Sequence, residues 1–520
     1  MKTLEAQTRR IGLIVIAFLV VFTLFIFLHG NSAALADPSG ENTGGAQDVS
    51  GDIYQEVGHN KVSINFIWVF LGAILVFFMQ AGFAMVETGF TQERNAAHVM
   101  MTNFTIFAIG TLGYFLLGFA LMFGGVGAIT SLGGQEILNA KFEIFKGWSL
   151  FGLKGFALSG KGVYDVGILL FFLFQVMFMD TAATIVTGAM AERWRFKAFV
   201  LYALFMSMIL YPVFGHWVWG GGWLSRLGSN LGLGHGFVDF AGSSVVHAVG
   251  GICALAGAMV IGPRIGKYDM EGNPRAIPGH NVPMAIVGVI ILVFGWFGFN
   301  ACSTLSGGDL RFAVVAVNTL LAACAGCISA MLYMWKKTGK PDPSMTANGM
   351  LAGLVAVTAP CAFIPPWASL VIGGIAGVLV CAGVFFLERR GIDDPVGAVA
   401  VHGLNGIWGV LSLGLFADGS YGNGLNGVEG PVRGLLFGDV GQFIAQVIGA
   451  LSCVVFVFGL SFLFFRLQDR WQGIRVSPQE EVDGLDVHEM GVNAYNGDTR
   501  LFISVTPAPE RESAGAITGR

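Results

Sequence analysis

Apolar runs of about twenty residues, separated by shorter polar stretches, recur along most of the chain. Each is long enough to cross a hydrocarbon core as a helix. Eleven such runs fall at roughly 63–87, 98–123, 163–190, 197–214, 240–262, 283–306, 311–335, 345–361, 366–388, 396–417 and 438–466. An earlier apolar run, Ile11 to Leu28, has different flanks. Lys2, Arg9 and Arg10 precede it and Ala34-Leu35-Ala36 follows it, the pattern of a cleaved signal peptide over residues 1–36. Residues 37–62 then form a polar extracytoplasmic segment, 63–467 the membrane domain and 468–520 a polar cytoplasmic tail, disordered beyond about 498. The expected fold class is an all-α integral membrane protein with eleven transmembrane helices.

Composition supports the pattern and narrows it. Hydrophobic residues make up 54% of the 520 and charged residues only 12%, against about 25% charged in a soluble chain. The net charge of −4 gives no reason to expect a nucleic-acid partner. All seven cysteines lie inside apolar runs, without the spacing of a disulfide-stapled domain. Cys324 and Cys327 have redox spacing, but within one apolar run they read as packing residues. No GxxxxGK[ST] loop is present, so transport driven by ATP on this chain is not expected. With the mature N-terminus outside, inner loops and the start of the tail hold 15 Lys and Arg, outer loops 7. The N-out, C-in arrangement follows.

Two stretches repeat one another. DFAGSSVVHAVGGI (239–252) and DPVGAVAVHGLNGI (394–407) share Asp, Gly three residues on, Val-His, and Gly-Ile. Asp239, Gly242, Val246, His247, Gly251 and Ile252 answer Asp394, Gly397, Val401, His402, Gly406 and Ile407. Each histidine lies in the middle of a spanning run, where an ionisable side chain is costly and marks a candidate functional site. The runs therefore divide into two five-helix halves plus one extra helix. Five is odd, so the halves are inverted repeats with a site near the midplane between them.

Several residue types at this site point to chemistry. Facing imidazoles pass a proton between ring nitrogens or offer hydrogen bonds to a small polar solute, which makes His247 and His402 pore candidates. A pair of axial haem ligands is a second reading, and a lone helix histidine bonded to a neighbour is the bland one. Asp239 and Asp394 read first as helix N-caps, with Asp239 also able to favour a cation near the outer mouth. GHWVWGGG (215–222) places Trp219 in a glycine run, and FGWFGFNA (294–301) ends just before Ser303. Both stretches also suit an interfacial aromatic belt. Aromatic faces attract a cation by about 1–2 kcal/mol when it is partly desolvated.

These motifs together resemble the ammonium transporter (Amt/Mep/Rh) family from about residue 63 to 497. The resemblance rests on GHWVWGGGW (215–223), DFAGSSVVH (239–247), GWFGFNACS (295–303), DDPVGAVAVHG (393–403) and AERWRF (191–196). MQAGFAM (79–85) and MMTNF (100–104) are similar to its plant-like branch. The resemblance implies an outer ammonium-binding site of Trp219, Ser303 and Phe178, and a gate of Phe178 and Phe299. Twin pore histidines, His247 and His402, and a structural Asp239 follow from it too. It implies ammonium or ammonia as substrate, no enzymatic activity and no cofactor. A homotrimer in a bacterial inner membrane is also implied, with PII signal proteins docking on the tail near GLDVHEMGVNAY (484–495). Two departures stand out: relatives often carry an acid where this chain has Gly397, and HGE where it has Met490-Gly491-Val492. A neutral gas channel of the Rh kind and an ammonium sensor are the alternatives.

Overall fold

A computed structural model describes residues 53–133, 136–424 and 428–495. The expected signal peptide and the tail beyond 495 lie outside the described residues. Apolar surface with no charge to solvate wraps into helices, because only a helix satisfies its own backbone in hydrocarbon. Ten of the described helices are long and apolar enough to cross a membrane. They are α1 (Ile53–Phe90), α2 (Glu93–Phe123), α3 (Val166–Met190), α4 (Phe196–Val218), α5 (Ser243–Ile261), α6 (Val282–Thr304), α7 (Phe312–Thr338), α9 (Pro366–Arg389), α10 (Val399–Phe416) and α11 (Val440–Gln472). The chain is thus a multi-pass membrane protein.

The eighth expected run differs from its neighbours. It forms α8 (Pro343–Val357), only 15 residues long, and then breaks into turns around Pro360. Proline supplies no backbone N–H, so the helix ends before it. Two further features add detail. Residues 53–62, within the expected polar segment, are the first turns of α1. The long loop before α3 carries a short two-stranded antiparallel hairpin, β1 (Lys141–Glu143) with β2 (Ser149–Gly152), on an otherwise helical fold. The hairpin pairs its backbone groups outside any helix, with Phe142 stacked on Phe151 at 5.0 Å.

Glycines set how closely the helices approach. Along the α1–α6 contact, a methyl group on Gly82 would meet the Gly288 carbonyl at 2.9 Å, and one on Gly288 would meet Gly82's at 2.6 Å. Small residues draw membrane helices together in this way. Opposite faces present Ile67, Val455 and Leu451 outward at 60–72% exposure, as lipid-facing surface requires.

At the end of the bundle opposite the N-terminus of α1, charges are buried in pairs. Arg264 reaches Asp393 through Nε at 2.8 Å and Nη2 at 2.9 Å, and Glu192 through Nη1. Arg193 donates to the carbonyls of Asp393, Ala191 and Gly262 at 2.8–3.2 Å. Burial alone would raise the Asp393 carboxyl. Arg193 and Arg264 more than reverse that and hold it well below the usual carboxylate range. The chain's last described residues fold back here. Asp486 accepts from the backbone N–H of His98 at 2.9 Å, Glu489 from Phe196 at 2.7 Å and Glu481 from Ile265 at 2.7 Å. Carboxylates from the tail thus meet the N-terminal ends of α2 and α4, where backbone donors are free.

A depressed carboxyl stabilises the fold above its unfolded value of about 4 and loses that contribution only as pH falls through the lower folded value. From pH 5 to 8 the cluster should therefore be insensitive to pH. Asp393→Asn leaves two buried guanidinium groups short of a counter-charge and should cost about 3–5 kcal/mol. Thermal unfolding of the purified protein at pH 7 checks this, and an unchanged melting temperature would contradict it.

Candidate functional site

Both histidines stand on helices that begin in the same way. Asp239 Oδ1 accepts from the backbone N–H of Gly242 and Ser243 at 2.9 Å. Its Oδ2 accepts from the backbone of Ser244 and Val245 and from the Ser244 hydroxyl at 2.6–3.0 Å. Asp394 likewise accepts from Gly397 at 3.0 Å and Val399 at 2.7 Å. Gly242 and Gly397 have φ of +116° and +81°, backbone that side chains rarely allow. The helices then open with π-helical turns, Ser243–Ala248 and Val399–Leu404, and each turn contains its histidine. Wide turns of this type recur at functional sites.

Asp239 is fully buried, so its carboxylate is a cap and not a surface of the outer mouth. Burial pushes this carboxyl up, against the pull of its donors from Ser244, Val245 and Gly242. Those donors fill its acceptor positions and leave no place for a carboxyl proton. The backbone oxygen of Asp239 takes the indole N–H of Trp219 at 2.7 Å and so fixes the orientation of that ring.

The two imidazoles meet. His402 Nδ1 and His247 Nδ1 are 3.2 Å apart, the ring centroids 5.3 Å, and the planes differ by 23°. His247 Nε2 is buried without a hydrogen-bond partner. An Nδ1–Nδ1 contact needs one donor and one acceptor, so the two rings hold opposite tautomers and share one proton. Rings in direct contact leave no space between them for a haem plane, so the pair does not fit two axial ligands of one haem. Close approach is possible because Gly251 and Gly403 have no side chains. A methyl group on Gly251 would overlap the backbone of Gly403.

Aromatic rings continue the line on either side. Phe299 stacks on His247 at 5.3 Å, Phe178 tilts against Phe299 at 4.3 Å, and Trp219 meets Phe178 edge-on at 6.2 Å. At the other end Phe83 lies 6.0 Å from His402. Beyond Trp219 a cavity of about 910 Å³ opens, bordered by Trp219, Ser303, Phe171, Phe240 and Asp309. Phe171 borders this vestibule, whereas Phe178, expected in the cation site, lies fully buried beneath Trp219. The Ser303 hydroxyl donates to the carbonyl of Phe299 at 2.7 Å, which leaves its oxygen lone pairs free to accept.

Sequence reasoning missed two rings of this line. Trp296 stacks on His247 at 5.0 Å with planes 17° apart, and its N–H is held by Thr358 Oγ1 at 2.9 Å. The signal was there, since Trp296 lies one helical turn before Phe299. Phe83 lay within MQAGFAM (79–85), but nothing in that stretch tied it to His402. His216 is structural, with its ring nitrogens taken by Ser149 and the Met122 carbonyl at 2.7 and 2.8 Å.

A profile described as the Ammonium Transporter Family matches residues 67–495. The chain belongs to the ammonium transporter family. It is 47% identical to Ammonium transporter Amt2 of Archaeoglobus fulgidus over 93% of this chain and 96% of that one. It is 37% identical to Ammonium transporter 1 member 3 of Solanum lycopersicum over 84% and 93%. Among solved structures, one described as a Sensor Amt Protein superposes with TM-score 0.73 at 36% identity, covering 83% of this chain and 99% of that one. Candida albicans Mep2 superposes with TM-score 0.68 at 25% identity, over 83% and 90%. The family is one of membrane transporters, not enzymes, and it implies ammonium or ammonia as the substrate.

Gly251→Ala should push α5 and α10 apart, lowering stability by about 1–3 kcal/mol, the cost of overpacking. It should cut ammonium uptake as well. A variant with wild-type melting and uptake would show that the close approach at Gly251 is dispensable.

Proposed function

We propose that the chain moves ammonium across the membrane by recruiting NH4+ in the vestibule, stripping its proton and passing NH3 along the two histidines. The observation that carries this is the direct contact of His247 with His402 at the end of a buried aromatic line that starts at the vestibule. A bare cation moved into such surroundings costs tens of kcal/mol by ion-solvation reasoning, whereas neutral NH3 does not. Trp219 supplies an aromatic face for the arriving cation, with Phe178 behind it, and Ser303 accepts one of its N–H bonds. Phe178 and Phe299 close the way to anything that keeps its hydration shell.

Opposite tautomers give the histidine pair two uses. One Nε2 accepts and the other donates, so NH3 finds a partner for an N–H and for its lone pair. The same arrangement relays protons. A proton arriving at the bare Nε2 displaces the Nδ1 proton onto the neighbouring ring, whose Nε2–H is released. Net movement is one proton, with the tautomers exchanged. Transport then carries charge, which separates it from a neutral gas channel.

The vestibule faces outward in this reading, and the tail lies in the cytoplasm. Lys61 of α1 borders the vestibule, and α1 runs about 40 Å before Arg94 meets the tail at the Val482 carbonyl. Described ends on opposite faces require an odd number of crossings, so α8 with the turns after it is the eleventh, completing two inverted five-helix repeats plus α11. A homotrimer in a bacterial inner membrane, with a PII signal protein docking near residues 484–495, completes the proposal on family resemblance. The neighbour described as a sensor supports a second reading, sensing with little flux.

His247→Ala and His402→Ala should each change methylammonium uptake into liposomes, or its discrimination against K+, by about tenfold or more. Unchanged uptake and selectivity in both variants would refute the pore assignment. Negligible uptake by the wild type would favour the sensor.

A further inference from the structure

Position 397, five residues before His402, carries no acid. A Cβ there would lie 2.9 Å from Asn348 Nδ2 on backbone of φ +81°, so the site has little room for a side chain. A carboxyl does stand close by, on a different helix. Glu87 of α1 follows Phe83, the ring on His402, by one turn and so shares its face. Its Oε2 accepts from Asn103 Nδ2 at 2.7 Å, and both oxygens accept from Thr187 Oγ1 at 2.8–2.9 Å. Glu87 and Val396, two residues past Asp394, border the same glycine. A methyl group on Gly188 would meet Val396 Cγ2 and, at 3.1 Å, Glu87 Oε1. Among the described residues, Glu87 makes no ion pair with a basic side chain. Asn103 Oδ1 beside it is buried with no partner.

An acid at membrane depth held by an amide and a hydroxyl, with no counter-charge, is a functional group before it is a structural one. Its surroundings are not wholly closed. Glu87, Val396 and His402 keep 3%, 9% and 4% of their surfaces accessible, whereas His247 keeps none. The residual surface thus lies on the Glu87 side of the histidine pair and not at His247. Titratable groups whose fields reach Glu87 are Asp394 ahead of α10 and Tyr202 on α4, the latter tied to the Ala183 carbonyl at 2.8 Å. From α2 and α3 the facing groups are Asn103 and Thr187, neither of which titrates.

We propose that Glu87 is the proton acceptor at the cytoplasmic end of the conduit, the role position 397 cannot fill. The N–H bond at His402 Nε2 breaks, the proton crosses water at the mouth, and an O–H bond forms on the Glu87 carboxylate. That O–H bond then breaks toward cytoplasmic water, and no electrons change hands. The role rests on the transport reading and adds a residue to it.

The test compares wild type, Glu87→Gln and Glu87→Asp in proteoliposomes, reading ammonium-evoked current on a solid-supported membrane and NH3-driven alkalinisation with a trapped pH dye. Glutamine keeps an acceptor for Asn103 but cannot carry the proton. Current should fall about tenfold or more in Glu87→Gln, while alkalinisation persists and rises, because NH3 entering without its proton takes one up inside, and melting temperature stays near wild type. Glu87→Asp should restore part of the current with a displaced pH profile. Wild-type current in Glu87→Gln at every pH overturns the proposal, and so does current lost together with alkalinisation and melting temperature in both variants. A wild type showing neither current nor alkalinisation instead removes the transport reading itself.

Discussion

A hydrogen bond between two neutral imidazoles in the middle of a membrane protein is the contact on which the other features depend. His247 and His402 belong to helices more than 150 residues apart in sequence, and each ring is held at depth by its own helix. To bring the ring nitrogens to 3.2 Å, the backbones must come nearly into contact, and glycine at 251, where a methyl group would overlap Gly403, permits that. Each helix must also start abruptly at the right depth. A capping aspartate and a left-handed glycine three residues later provide that start in both. The aromatic rings around the pair exclude water, and that gives a shared proton its value.

Charge is handled by one rule throughout. Asp239 meets five donors, Asp393 is enclosed by Arg264 and Arg193, and the tail's carboxylates sit on backbone N–H groups at helix ends. Buried charge survives only when paired or hydrogen-bonded, because the desolvation cost is otherwise unpaid. Glu87 departs from this rule, with hydrogen bonds but no counter-charge. Its position next to the helix that presents His402 turns that departure into a functional argument.

Much of this was legible in the sequence, for a physical reason. An ionisable residue in an apolar run is rare enough to be noticed, and the spacing from aspartate to histidine is the same in both stretches because the same cap and turn are built twice. The π-helical turns themselves were not legible, since one extra residue per turn leaves no mark on an unbroken apolar run. Helix α8 read as a full span because Pro360, which ends it, lies within an otherwise apolar stretch. Residues 53–62 read as polar, and they continue α1. The hairpin before α3 was missed because strands of three and four residues carry too little alternation to register. Trp296 was in view inside a recognised motif, but only coordinates show its ring lying against His247. Glu87 drew no attention because its neighbours come from other helices, and no local spacing announces them.

The central claim is that a charged substrate is sorted by whether it can give up a proton before the dry section. The most direct measurement is the current evoked in wild-type proteoliposomes by ammonium and by potassium, ions of similar size, at equal concentration and pH. A transient current with ammonium and none with potassium is the predicted result. Equal currents from the two ions would mean that intact cations pass, and the account of the histidine pair would be wrong.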